Sequence, residues 1–159
     1  DEGQTMIVAD LMTARPLTIH QDQPLRRALE TMETNHFHHL PVLNSESQLV
    51  GVITERDCLA ALNLPRSPRT SNGDRLALRG TTAAAATRTP VRAVMTPAPI
   101  VVEPEMDADE AARLMLTNHI GCLPVMRSET LVGIVTTSDM LVAFMNLYKR
   151  LRILYPEQD

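Results

Sequence analysis

The stretch Leu11–Glu46 reads LMTARPLTIHQDQPLRRALETMETNHFHHLPVLNSE, and Val94–Glu129 reads VMTPAPIVVEPEMDADEAARLMLTNHIGCLPVMRSE. Laid over one another at an offset of 83, they are identical at 13 of 36 positions. Met12-Thr13 meets Met95-Thr96, Pro16 meets Pro99, and Leu40-Pro41-Val42 meets Leu123-Pro124-Val125. One residue is then lost in a turn. At the new offset of 82, Leu49-Val50-Gly51, Thr54, Asp57 and Leu59 meet Leu131-Val132-Gly133, Thr136, Asp139 and Leu141. Self-similarity at a fixed spacing marks one supersecondary unit present twice.

Each copy predicts the same elements. A short strand follows a proline (Leu17 to Ile19; Ile100 to Val102). A helix comes next, with Leu25, Ala28, Leu29 and Met32 on one apolar stripe, and Ala108, Ala111, Ala112 and Met115 on its counterpart. Asp107 and Glu110 have the spacing of a capping box. Asn35 and Asn118 fall where a left-handed residue closes a helix. Two apolar strands follow, Leu40 to Leu43 and Leu49 to Ile53 in the first copy, and then a second helix starting near Thr54. In the second copy that last helix is longer, striped by Leu141, Phe144, Met145, Tyr148 and Leu151. The fold class is therefore α+β: two β-α-β-β-α units. At about 50 residues neither buries much surface alone, so the two are expected to pack sheet to sheet with pseudo-twofold symmetry.

The boundaries follow from the repeat. Residues 1–6 read as an N-terminal tail, 7–64 as unit 1, 89–148 as unit 2, and 149–159 as a helix end and tail. Residues 65–88 read as a linker. It is basic, with Arg66, Arg69, Arg75, Arg79 and Arg88 against the single acid Asp74, and it carries the run Ala83 to Ala86. Asp74 to Arg79 has the makings of a helical turn.

Composition excludes several classes. The chain has 159 residues, 44% hydrophobic and 21% charged, with a formal charge of −4, which is globular rather than disordered. It has no Trp, two Phe and two Tyr, so it lacks the basic face and stacking rings of a general nucleic-acid binder. No apolar run reaches the roughly 18 residues of a membrane span, and Asp1 to Ala9 lacks the pattern of a secretory signal. Two cysteines, Cys58 and Cys122, are too few for a disulfide framework and point to a reduced, cytoplasmic protein. No nucleophile–base motif and no phosphate-binding glycine pattern is present, so no enzyme and no obligatory cofactor is expected. His36, His38 and His39 raise a metal reading, but the second copy keeps only His119, and no metal is expected.

Glycine, two apolar residues, Thr-x-x-Asp is the motif that carries chemistry: Gly51 to Asp57 and Gly133 to Asp139. Read structurally, the Thr caps a helix and the Asp completes the box. Read functionally, an acceptor-only carboxylate suits the adjacent hydroxyls of a ribose, and Thr54 or Thr136 suits a phosphate at a helix start. The two readings are compatible. Arg56, where the second copy has Ser138, gives the first site more positive charge and hence a preference for the more phosphorylated nucleotide.

The ordered set of motifs, occurring twice, resembles the CBS domain. Its carriers are Asp10-Leu11-Met12-Thr13, His39-Leu40-Pro41-Val42 and Gly51 to Asp57, with Ala93-Val94-Met95-Thr96, Cys122-Leu123-Pro124-Val125 and Gly133 to Asp139. The chain looks like a tandem pair, a Bateman module. The resemblance implies a regulatory module that binds an adenosine nucleotide (AMP, ADP, ATP) or a related adenosyl ligand in the clefts between the units, signals by conformational shift to an effector protein, and pairs into a disc-shaped homodimer. It implies that Thr18, Ile19, His39, Leu40, Pro41 and Val52 line the first site with Thr54, Arg56 and Asp57. Ile100, Val101, Cys122, Pro124 and Ile134 then line the second with Thr136, Ser138 and Asp139. The competing expectation is a ligand-independent dimerisation scaffold with empty clefts.

Overall fold

A computed structural model describes residues 5–64 and 80–154. Asp74 to Arg79, and with it the predicted helical turn, lies outside the described residues. The architecture is α+β, with two sheets.

One compact unit is Leu17–Pro99. Its sheet has the order β2-β3-β4-β5, formed by Ile19–His20, His39–Leu43, Leu49–Thr54 and Thr96–Pro97. β2 runs parallel to β3, and the other pairs are antiparallel. Helices α2 (Leu25–Asn35) and α3 (Glu55–Ala61) cover one face. Leu25, Ala28, Leu29 and Met32 are all buried there, so the apolar stripe does what its 3.6-residue period requires. They meet Ile19, Leu40, Val42 and Ile53 of the sheet.

The other compact unit is Asp1–Pro16 with Ile100–Asp159. Its sheet is β1-β7-β6, formed by Thr13–Ala14, Thr130–Thr136 and Cys122–Arg127, and Val102 adds a parallel bridge to Val125. A short helix α1 (Val8–Leu11), α5 (Ala108–Asn118) and the 18-residue α6 (Thr137–Leu154) complete it. Its core is Val8, Val102, Ala111, Met115, Leu123, Val125 and Val135. Of the predicted α5 stripe, Ala111 and Met115 are buried, while Ala108 and Ala112 are half-buried.

The compact units are cut differently from the repeats. Thr13–Ala14, from the first repeat, pairs antiparallel with β7 of the second, and Thr96–Pro97, from the second, pairs with β4 of the first. Each repeat donates its opening segment to the sheet of the other.

Three local expectations are corrected. The stretch read as linker ends in a helix, α4 (Gly80–Arg88), whose Ala86 is fully buried in the first core. Alanine is the strongest helix former, and one small side chain suffices to seat the helix. Asp107 precedes α5 but its side chain makes no capping bond. The left-handed closing residues are His36 (φ 58) and His119 (φ 53), one place beyond the asparagines. Asn35 and Asn118 instead donate their amides to carbonyls one turn back, Thr31 and Leu114, at 2.8 and 2.9 Å.

Candidate functional site

Register decides which nominated residues share a surface. In a strand successive side chains alternate between faces, and directly paired residues of an antiparallel ladder share one. Leu40 pairs with Ile53 and Val42 with Gly51, and Leu40, Val42 and Ile53 belong to the helix-side core. His39 pairs with Thr54 and Pro41 with Val52. These four lie on the opposite face, with Asp57 one turn into α3. The second sheet repeats the arrangement. Leu123 and Val135 face the helices, while Cys122 pairs with Thr136 and Pro124 with Ile134 on the other face, followed by Asp139 in α6.

The remaining nominated residues sort by place. Ile19 and Leu40 send their side chains into the helix-side core, so they have only backbone to offer a ligand. Thr18 is exposed beside β2. Ile100 and Val101 are exposed just before the Val102 bridge. Arg56 and Ser138 are exposed, and Arg56 forms no ion pair among the described residues.

The two Thr-x-x-Asp motifs differ in detail. Thr136 and Asp139 form a closed box. The Asp139 carboxylate accepts from the Thr136 N–H at 2.8 Å and from its hydroxyl at 2.9 Å, and the Thr136 Oγ1 accepts from the Asp139 N–H at 3.3 Å. In the first copy only the hydroxyl cap forms, with Thr54 Oγ1 accepting from the Asp57 N–H at 3.1 Å. The Asp57 carboxylate accepts no hydrogen bond among the described residues.

Charge around the first motif is denser. His38 Nδ1 contacts Glu55 Oε2. Burial holds the His39 imidazole below its usual range, helped by His38 and opposed by the Asp57 carboxylate, so His39 favours its neutral form. Burial, with the Asp57 and Glu55 charges, pushes the Cys58 thiol up to about 12. Burial alone does the same for Cys122. Both are inert thiols near neutral pH. Among the described residues no three His, Cys, Asp or Glu side chains gather as metal ligands. His36 is exposed and closes α2.

Some features were not read from sequence. Arg15 (φ 50) and Ala98 (φ 45) occupy equivalent left-handed positions directly before Pro16 and Pro99. Proline disfavours such a conformation in the residue before it, so both crossings into the nominated strands carry backbone strain. The X-Pro pairs were the available signal. A groove of about 460 Å3 between the α1 region and α6, lined by Met6, Asp10, Leu11, Asn146, Leu147 and Arg150 among others, contains none of the nominated residues.

A duplicated sheet with the same paired face and a following Thr-x-x-Asp turn in each copy defines a tandem-repeat module. The CBS domain model matches residues 8–64 and 91–146, and the chain belongs to the CBS domain family, with two copies. It is 36% identical over 138 residues to a CBS domain-containing protein of Dictyostelium discoideum, covering 86% of this chain and 89% of that one. An uncharacterized protein of Methanocaldococcus jannaschii is 33% identical over 156 residues, covering 89% and 92%. The structure of CBSX2, a protein of Arabidopsis thaliana, in complex with AMP aligns with a TM-score of 0.69 at 28% identity, covering 89% of this chain and 98% of that one. Among the described residues no helix is long and apolar enough to cross a membrane.

Proposed function

We propose that this chain is a regulatory, non-catalytic module that binds AMP or a related adenosine nucleotide on the second face of each sheet and passes a conformational shift to a partner protein. One observation carries the reading: in both copies a half-buried Thr hydroxyl and Asp carboxylate stand at the end of the same paired face. The likeness to CBSX2 with AMP supports the ligand class. The roles follow from the donor and acceptor inventory. Asp57 and Asp139 accept from the ribose 2′ and 3′ hydroxyls. Thr54 and Thr136 donate to phosphate. Pro41 with Val52, and Pro124 with Ile134, are aliphatic and buried as the structure stands; the base packs at their edge and is read by backbone groups. Arg56, exposed and without an ion pair among the described residues, supplies charge for a second or third phosphate at the first site. Two buried free thiols suit a reducing compartment such as the cytoplasm.

Thermal melting with AMP, ADP, ATP and S-adenosylmethionine tests this. A ligand at 100 times its Kd adds about 2.7 kcal/mol, which raises Tm by about 5–10 °C in a chain of this size. Asp57→Ala combined with Asp139→Ala removes the shift while the protein stays folded. No shift of the unaltered protein with any of the four ligands leaves a ligand-independent dimerisation module, for which the exposed apolar side of α6 is the supporting observation.

A further inference from the structure

Given that reading, we infer that the two sites are unequal, the first taking a ribosyl ligand at least about tenfold tighter than the second, because among the described residues the Asp57 carboxylate accepts no hydrogen bond, whereas one oxygen of the Asp139 carboxylate and the Thr136 hydroxyl are held in their own helix cap. A vicinal diol needs carboxylate lone pairs. Asp139 Oδ2 already serves two donors, the Thr136 N–H at 2.8 Å and the Thr136 hydroxyl at 2.9 Å. Both are bonds to a charged acceptor, the stronger kind. The same contact engages the Thr136 hydroxyl that a phosphate would recruit. A diol at the second site finds only Oδ1 of Asp139 uncommitted, and a phosphate recruits the Thr136 hydroxyl only by breaking its bond to Oδ2; loss of one such bond is worth about a factor of ten or more in affinity.

At the first site nothing comparable must be broken among the described residues. Thr54 keeps its hydroxyl lone pair on the Asp57 N–H at 3.1 Å, a bond that leaves both Asp57 oxygens and the Thr54 proton available. The side chains flanking the two carboxylates differ as well. His39 stands opposite Thr54, where Cys122 stands opposite Thr136. Arg56 is exchanged for Ser138. The duplicated motif thus yields one open and one half-engaged acceptor, which makes the module responsive over two separated ranges of ligand concentration.

Calorimetric titration with AMP reads this directly. The unaltered protein gives two phases separated by at least about tenfold in Kd. Asp57→Asn removes the tight phase, and Asp139→Asn removes the weak one. Amide spectra of the unaltered protein give the same order without a substitution: at substoichiometric AMP, resonances of residues 54–58 move before those of 136–140. Equal phases, the reverse assignment of the variants, or first movement at 136–140 overturns the inequality while leaving AMP binding intact. Absence of any AMP binding overturns the site reading itself, and the inequality with it.

Discussion

Gly51 and Gly133 occupy equivalent places in the two sheets, and each lies under a methionine donated by the other repeat. A Cβ on Gly51 would sit 2.6 Å from the Met95 sulfur and 2.8 Å from the Thr96 carbonyl oxygen. On Gly133 it would meet the Met12 sulfur at 2.5 Å and the Thr13 oxygen at 3.1 Å. A thioether is flexible and can swing away. A strand carbonyl held in a ladder cannot. Gly51→Ala therefore destabilises by about 1–3 kcal/mol, the usual cost of overpacking, and Gly133→Ala by less, since its backbone neighbour is farther away. Denaturant unfolding of the two variants checks both the sign and the order. A neutral Gly51→Ala would show that β5 yields at no cost. The sequence marks both glycines as repeated, in Leu-Val-Gly, but the reason for glycine lies in a segment more than forty residues away, which no local pattern encodes.

At the level of elements, α4 is the clearest departure from what the residues announce. Its composition, Gly-Thr-Thr followed by four alanines, reads as low complexity because the helix has no amphipathic stripe to display. A single position, Ala86, is buried against the first core. Ala86→Glu places a charge where no partner is available and costs at least about 2 kcal/mol, while Thr87→Glu, exposed one residue further on, changes stability by less than about 0.5 kcal/mol. Thermal or chemical unfolding separates the two; equal, small effects would mean that α4 does not dock. The exchanged strands were hidden for a different reason. β1 and β5 are two residues long, too short for a period, and in a duplicated chain pairing with one's own repeat or with the other leaves the same local sequence. By contrast α2, β3, β4 and their counterparts were legible, because long enough stripes and alternations fix which side chains face the core. The same alternation placed His39, Pro41, Val52 and Thr54 together and set Leu40 apart, which only the register shows.

For the whole molecule, duplication explains why the site residues could be named in pairs and why their pairs are not alike: the backbone repeats, whereas the side chains at His39 and Cys122, or Arg56 and Ser138, do not. It also leaves one helix much longer than its counterpart. α3 has seven residues and buries Cys58 and Leu59, whereas α6 has 18 and buries none. Leu141, Phe144, Tyr148 and Leu151 recur at three- and four-residue intervals along α6, a seam of the coiled-coil type. Phe144 is 65% exposed and stacks on Tyr148 at 6.3 Å, and Leu151 is 46% exposed. An 18-residue helix is about 27 Å long, enough to form the spine of a standard interface of about 800 Å2 per partner. Large contiguous apolar patches on soluble proteins mark interaction surfaces. The family resemblance implies a homodimer, and we propose that a second copy of the chain covers this seam. Phe144→Glu with Leu151→Glu should then convert a dimer into a monomer by sedimentation equilibrium. Monomer stability should change little, since beyond the Phe144–Tyr148 contact these side chains contribute nothing to either core. A variant that remains dimeric moves the interface off α6, and a monomeric unaltered protein removes self-association as the reason for the exposed seam.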